Sequence, residues 1–169
     1  MNSKAEATGE WVLLSYRLPR EPSTPRSAVW RKLRRLGVAQ IGDGLVALPA
    51  TARTREQLEW IAEEVIDAAG TATIWLARPA SHGQDQQLVQ NMKAARAAEY
   101  QALITAASAA ANPAARQAVR RFRNELRAIQ RRDYFPPPER ERAQAVVGNL
   151  TASPAGAPLP AVDLPEQVR

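Results

Sequence analysis

A chain of 169 residues is long enough for one domain of ordinary size, or for one small domain with an appendage. It contains no cysteine and a single histidine, which excludes disulfides, cysteine nucleophiles and a histidine-rich metal site. The net charge is +6, and residues 81–150 carry most of the excess, with 11 basic and 6 acidic side chains. No apolar segment reaches the roughly 20 residues of a membrane span. We therefore expect a cytoplasmic protein that binds other macromolecules and has no membrane partner.

The chain opens with a polar segment, residues 1–9, which we predict to be a disordered leader. Residues 11–18 (WVLLSYRL) predict a strand, and their nearly continuous apolar character favours a central strand that is covered on both faces. Thr24 as N-cap and Pro25 as first residue predict the start of a helix. Gly37 is typical of the residue that ends such a helix.

Two short apolar segments flank Asp43-Gly44, which predicts a β-hairpin because the turn between its strands needs positive φ angles. A second helix is expected to begin at a capping box of Thr54 and Gln57 and to end at Gly70. Its outer face is acidic and comprises Glu56, Glu59, Glu63, Glu64 and Asp67.

A fourth strand is predicted over residues 71–77. The order across residues 10–80 is therefore β-α-β-β-α-β. This order predicts an α+β domain of the ferredoxin-like kind, in which a four-stranded antiparallel sheet carries two helices on one face.

A helical region is predicted over residues 86–150, after a short linker. Helices over 86–111 and 114–132 would form an antiparallel helical hairpin, and a short helix would follow within 139–150. The second helix carries an apolar seam of Val119, Phe122, Leu126 and Ile129. The proline-rich residues 151–169 predict a disordered tail.

Catalytic motifs are absent from the sequence. Gly42 and Gly44 form a GxG pattern, but they lie in a hairpin and do not open a helix. His82 falls in the predicted linker, and the acidic cluster of the second helix has the spacing of an ordinary solvated face. We expect no enzymatic activity, no cofactor and no metal.

The second helix of the predicted hairpin carries a row of arginines at spacings of four, three, four and four residues. They form one stripe, which two further arginines widen. The set is Arg116, Arg120, Arg121, Arg123, Arg127, Arg131 and Arg132. Like charges in such a row repel one another, so they need a negative counterpart. Either the acidic face of the Glu56–Asp67 helix pairs with the stripe, or the stripe faces a polyanion or an oxyanion.

A second basic group lies on the first helix and comprises Arg26, Arg31, Lys32, Arg34 and Arg35. Two such groups on a small protein favour contact with the phosphates of DNA, because each neutralised phosphate releases counterions. No helix has the pattern of asparagine, glutamine and arginine that reads bases in a groove.

Two segments resemble the ChrB family of chromate-resistance regulators. Residues 11–65 (WVLLSYRLPREPSTPRSAVWRKLRRLGVAQIGDGLVALPATARTREQLEWIAEEV) are similar to its N-terminal domain, and RRDYFPPPERERA to the end of that domain. A weaker resemblance, in the LPxxxxxxR opening, is to the middle domain of PaaX-type repressors. That domain in turn resembles a ferredoxin-like nuclease subunit of CRISPR spacer acquisition. Such a nuclease needs an acidic metal ligand after the first strand, where this sequence has Tyr16, Arg17 and Leu18.

The ChrB resemblance implies a non-enzymatic, chromate-responsive regulator of a chromate-efflux operon. Family members carry a second, C-terminal domain to which anion sensing is assigned, and this sequence ends at Arg169 without it. We expect either that a separate polypeptide supplies that domain or that the gene is truncated.

The leading hypothesis is DNA binding through the two arginine-rich groups, by a homodimer that forms through the sheet or the helical hairpin. One alternative is a protein-interaction module that docks on a separate sensor domain; Phe122, Leu126 and Ile129 would then be partly exposed in the free chain. The other is direct binding of chromate or sulfate.

Overall fold

The computed structural model describes residues 9–110 and 116–150, and within them it is a mixed α/β structure with a four-stranded antiparallel sheet and five helices. The strands are β1 (Trp11–Arg17), β2 (Ala39–Gly42), β3 (Leu45–Pro49) and β4 (Thr71–Ala77). The helices are α1 (Ser23–Leu36), α2 (Ala52–Asp67), α3 (His82–Ser108), α4 (Arg116–Gln130) and α5 (Glu139–Asn149). The predicted tail, most of the predicted leader and the break between the two helices of the predicted hairpin, at residues 112–113, lie outside the described residues.

The strand order of the sheet is β2-β3-β1-β4, so β1 is central, as its apolar sequence predicts. Leu14 of β1 lies opposite Val46 of β3 and Ile74 of β4. Val12 and Leu14 are fully buried in a cluster that includes apolar residues of α1 and α2. These side chains hold the two helices to one face of the sheet.

The opposite face of β1 is covered only at its Trp11 end. The Trp11 indole donates a hydrogen bond to the Asp85 carboxylate of α3 at 2.7 Å and packs against the Phe135 ring. Leu13 is half-buried and Ser15 is exposed. Coverage of both faces, expected for the whole strand, is therefore wrong for its second half.

The structure confirms one predicted helix end and corrects another. Gly37 ends α1 with φ of 72°. Helix α2 ends at Asp67, before the expected Gly70, and Ala69 after it has a positive φ of 58°.

The expected Thr24 cap is wrong, because α1 begins at Ser23, two residues before the predicted Pro25, and no side chain caps it. Thr51 and Thr54 form the capping box of α2. Gln57 has no part in it, and Thr54 also donates its hydroxyl to the Pro49 carbonyl at 2.6 Å.

Helix α3 begins four residues before its predicted start. The Ser81 hydroxyl accepts a hydrogen bond from the Gln84 backbone N–H, which caps the helix one turn earlier than expected. His82 therefore lies in the first turn of α3, and the prediction that it belongs to a linker is wrong.

The three C-terminal helices share a second buried cluster, separate from that of the sheet. It includes Tyr100 and Leu103 of α3, Phe122 of α4 and Val147 of α5. Helix α5 packs on both α3 and α4, so it completes the core that those two helices begin.

The segment between α4 and α5 joins the helical part to the α/β part. The Tyr100 hydroxyl donates to the Asp133 carboxylate at 2.8 Å. The Tyr134 hydroxyl donates to the Leu36 carbonyl, at the end of α1, at 2.9 Å. The end of α1 is thereby fixed beside the end of α4.

Candidate nucleic-acid interface

Helix α4 is strongly amphipathic. Val119, Phe122 and Ile129 are buried on one side. The arginines of the stripe point away from them, and six of the seven are exposed. These six are Arg116, Arg120, Arg121, Arg123, Arg127 and Arg131. The helix displays positive charge along its outer side, as its spacing predicts.

The exposed arginines of α4 have no negative counterpart within residues 9–110 and 116–150. None of the six makes an ion pair or a side-chain hydrogen bond there. The Arg121 guanidinium lies over the Phe122 ring, 4.6 Å from its centroid, which is a cation–π contact that leaves the charge in place.

The acidic face of α2 does not neutralise the arginine stripe in the described structure. Glu64 pairs with Lys32 of α1, and Glu59 pairs with Arg55 of its own helix. Pairing with α2 was one of the two explanations for the stripe. Among the described residues, no contact between α2 and the stripe supports it.

Arg132 differs from the rest of the stripe. It donates two hydrogen bonds to the Glu99 carboxylate, at 3.0 and 3.2 Å, and is largely buried. Arg96 pairs with the same carboxylate at 3.2 Å, and burial lowers the pKa of its guanidinium. Its spacing places Arg132 with the other arginines of the stripe, but its charge is neutralised by an internal ion pair with Glu99.

The basic group on α1 divides in a similar way. Arg26, Arg31, Arg34 and Arg35 are exposed. Lys32 forms an ion pair with Glu64 of α2, so its charge is neutralised locally. Its side chain joins the two helices that cover the sheet.

The structure brings the C-terminal ends of α1 and α4 together. A Cβ atom on Gly37, just after α1, would lie 2.8 Å from the Cβ of Arg132, just after α4. Arg34 and Arg35 occupy the last turn of α1, and Arg127 the last turn of α4. Cations are favourable at helix C-termini, where the carbonyls carry partial negative charge. The two basic groups therefore meet at one junction.

An additional basic surface lies at the opposite end of α1. The sequence places Arg17 and Arg20 close to the basic group of α1, but it does not predict the pocket that they line. Arg17 and Arg20 line an open pocket together with Arg26 and Trp30. The spacing of four between Arg26 and Trp30 was the available signal, since it places both on one face of a helix.

The predicted exposure of the α4 apolar seam is wrong for two of its residues. Phe122 and Ile129 are 1% and 2% exposed, because α3 and α5 cover them, and Leu126 is half-buried against the same cluster. Large exposed apolar residues lie elsewhere, at Trp75 and Leu76 of β4 and at Ile41 of β2.

The part of the chain that the structure describes has no group of three or more histidine or acidic side chains placed to hold a metal ion. Within that part, no helix has the length and apolar content needed to cross a bilayer.

Together the fold and the surface define a small α/β protein with many exposed arginines on two helices, α1 and α4. The chain belongs to the ChrB family, since the family model for the N-terminal part of protein ChrB matches residues 26–111. The matched range runs from α1 through α3 and stops before the arginines of α4. Comparison with curated proteins and with solved structures gave no match. Family membership suggests a role in chromate-resistance-related regulation.

Proposed function

We propose that this protein binds DNA in the cytoplasm through the exposed arginines of α4 and α1, and so controls a chromate-efflux operon without enzymatic activity. The observation that carries the proposal is the row of six exposed arginines, five on α4 and Arg131 just after it, that lack a carboxylate partner among the described residues. Membership in the ChrB family supports the regulatory and chromate-related part.

The physical argument for a polyanionic ligand is the electrostatic repulsion between neighbouring arginines of the α4 stripe. Adjacent like charges on a helix repel by a few tenths of a kcal/mol for each pair. A phosphate backbone removes this repulsion, and the released counterions add a favourable entropy. The guanidinium fork also matches phosphate oxygens in geometry. Such contacts position a protein on DNA without reading its sequence.

We infer a ferredoxin-like arrangement of the α/β part, which supports this use of the helices. The strand order β2-β3-β1-β4 is the order that a β-α-β-β-α-β chain of this kind would have, with α1 and α2 packed on one face. We infer a rigid base from which α1 and the end of α4 present their arginines.

We further propose a homodimer formed through strand β4. This strand is at an edge of the sheet, contains no charged residue and leaves Trp75 and Leu76 each 55% exposed. An edge strand without charges is a template for pairing with another strand. A second copy would pair antiparallel about a two-fold axis, and two α4 helices would then face the DNA together.

An electrophoretic mobility shift against the promoter of a chromate-transport operon tests the DNA-binding proposal. We expect a shift at low salt that weakens steeply as salt rises, because the contacts are to phosphates. No shift at low salt, or a shift that is insensitive to salt, would contradict it.

Direct binding of chromate or sulfate is the second candidate function, because the free arginines of α4 also suit small oxyanions. Calorimetry with chromate on the wild type and on Arg127→Ala distinguishes the two. Heat of binding that is lost in the variant would favour the oxyanion function. The absence of heat together with a DNA shift would favour DNA binding.

A further inference from the structure

An open pocket lies where β1 ends, between the start of α1 and the β2–β3 turn. We call it the β1-end pocket. Its lining includes Tyr16, Arg17, Arg20, Arg26, Trp30 and Asp43. These residues come from the end of β1, the loop after it, α1 and the β2–β3 turn, so the fold creates the site.

A close approach of the backbone builds one wall of the pocket. The Tyr16 N–H donates to the Gly44 carbonyl at 2.7 Å. Gly44 has φ of 71°, and a Cβ there would lie 2.3 Å from the Tyr16 carbonyl oxygen. Only glycine fits this position, so the turn is pressed against the end of β1. On the other side, Arg26 donates to the Pro19 carbonyl at 2.9 Å and holds the loop before α1.

The charge of the β1-end pocket is positive. Arg17 and Arg20 are exposed and have no side-chain hydrogen bond or ion pair with any described residue. The bond of Arg26 is to a neutral carbonyl, so its charge remains. Asp43 is the one acidic residue that lines the pocket, against three arginines. The balance favours a phosphate group over a neutral ligand.

Two aromatic side chains lie among these arginines. Trp30 is 38% exposed, and Tyr16 is half-buried. Burial raises the pKa of the Tyr16 phenol, so its hydroxyl stays protonated and can donate a hydrogen bond at neutral pH. Bases can stack on aromatic side chains that lie beside arginines, whereas an inorganic anion has no ring that could stack there.

We propose that the β1-end pocket binds a nucleoside phosphate, with the phosphate on Arg17 and Arg20 and the base on Trp30. The ligand is either a free mononucleotide or one nucleotide of an unpaired strand. The site is separate from the arginines of α4, and the proposal holds whether or not the protein binds duplex DNA.

A titration followed by tryptophan fluorescence tests the proposal on the full chain. The probes are thymidine 5′-monophosphate, a 5′-phosphorylated oligothymidylate and inorganic phosphate. We expect at least one of the two nucleotide probes to bind and quench the fluorescence. Trp30→Ala should weaken that binding by about five- to 150-fold, because one stacked base contributes on that scale. Trp60→Ala is the matched control, since Trp60 is 58% exposed on α2 outside the pocket.

The outcomes separate the two sources of nucleotide. Binding of the monophosphate supports a free nucleotide, and binding of the oligomer alone supports an unpaired strand. Inorganic phosphate that binds as tightly as either probe would overturn the proposal, because the base would then contribute nothing. Equal binding by the Trp30→Ala and Trp60→Ala variants would overturn it as well.

A second variant guards against a folding artefact. Arg20 is exposed, so Arg20→Ala should keep the circular dichroism spectrum of the wild type and lose nucleotide binding at least fivefold. An Arg20→Ala variant that is folded and binds as the wild type does would contradict the site. Variants in α4 should leave nucleotide binding unchanged, which keeps this test independent of the duplex test.

Discussion

At the scale of single residues, two arginines of one sequence pattern have different structural roles. Arg123 is exposed on α4 without a carboxylate partner in the described residues, whereas Arg132 is held by Glu99. The difference depends on α3, which places Glu99 beside the segment after α4. The spacing of arginines along a helix cannot distinguish an exposed arginine that is free to bind a ligand from one that stabilises the fold through an internal ion pair.

These roles predict that alanine substitutions at the two positions change the stability of the protein by different amounts. Arg123→Ala should change the free energy of unfolding by no more than about 0.5 kcal/mol, as surface substitutions do. Arg132→Ala should lower it by about 1 kcal/mol or more, because the partly buried Glu99 loses one of its two cations. Urea denaturation measures both. Equal effects of the two substitutions would contradict the assignment of Arg132 to the interior.

Tyr100 provides a prediction that depends on pH. Its hydroxyl donates to Asp133, whose side chain is fully buried, and burial together with this bond raises the pKa of the phenol above its usual 10.0. A raised pKa means that the folded state favours the protonated phenol. Its contribution to stability is complete below pH about 10 and is lost as pH rises through the folded-state pKa.

Tyr100→Phe should therefore lower the free energy of unfolding by about 1–3 kcal/mol at pH 8, since a buried carboxylate loses a donor. The deficit relative to the wild type should shrink between pH 10 and pH 12. Urea denaturation at several pH values gives the comparison. Burial also raises the pKa values of Tyr16 and Tyr134. Both tyrosines are present in the wild type and in Tyr100→Phe, so they do not affect the difference in stability between the two. A deficit that stays constant with pH would refute the argument.

At the scale of elements, local patterns were sufficient for the strands, for the end of α1 at Gly37 and for the turn at Asp43-Gly44. The arginine stripe of α4 also followed from spacing alone. The start of α2 was predicted at the wrong residue, because Thr51 is its N-cap. Thr54 lies in the first turn and donates to the Pro49 carbonyl, which precedes the helix. The β1-end pocket was missed for a related reason. It joins a strand end, a helix and a turn that only the fold brings together.

The turn that closes the β1-end pocket can be tested by a pair of glycine substitutions. Gly44→Ala should lower the free energy of unfolding by more than about 1 kcal/mol, because of its positive φ and the Tyr16 carbonyl oxygen in its way. Gly42→Ala is the matched control, since a Cβ there would meet nothing within 4 Å. Thermal denaturation compares the two. Similar loss in both variants would show that the contact with Tyr16 does not set the turn.

At the scale of the whole molecule, the open edge of β4 predicts the oligomeric state. Leu76→Lys should convert the proposed dimer to a monomer, because a charge on an edge strand opposes pairing. Light scattering after size-exclusion chromatography gives the mass. Trp60→Lys changes an equally exposed apolar residue on α2 and should leave the dimer intact. A wild type of monomer mass, or a Leu76→Lys variant of dimer mass, would exclude pairing through β4.

The distribution of charge over the whole molecule underlies the proposed function. Most of the excess positive charge lies in residues 81–150, and the structure displays much of it on the outer side of α4. The junction at Gly37 adds the exposed arginines at the end of α1 to the same region. A surface of this kind predicts that affinity for DNA depends on salt more strongly than on base sequence.

The salt dependence of duplex binding, measured by fluorescence anisotropy, tests this account most directly. The variant replaces Arg120, Arg123 and Arg127 with alanine, and Arg55→Ala, whose side chain pairs with Glu59 on α2, is the control. We predict that the slope of log affinity against log salt becomes less steep by about 2.7 in the triple variant, at about 0.9 for each lost phosphate contact. The control should keep the wild-type slope. An unchanged slope in the triple variant would contradict the claim that α4 meets the phosphates.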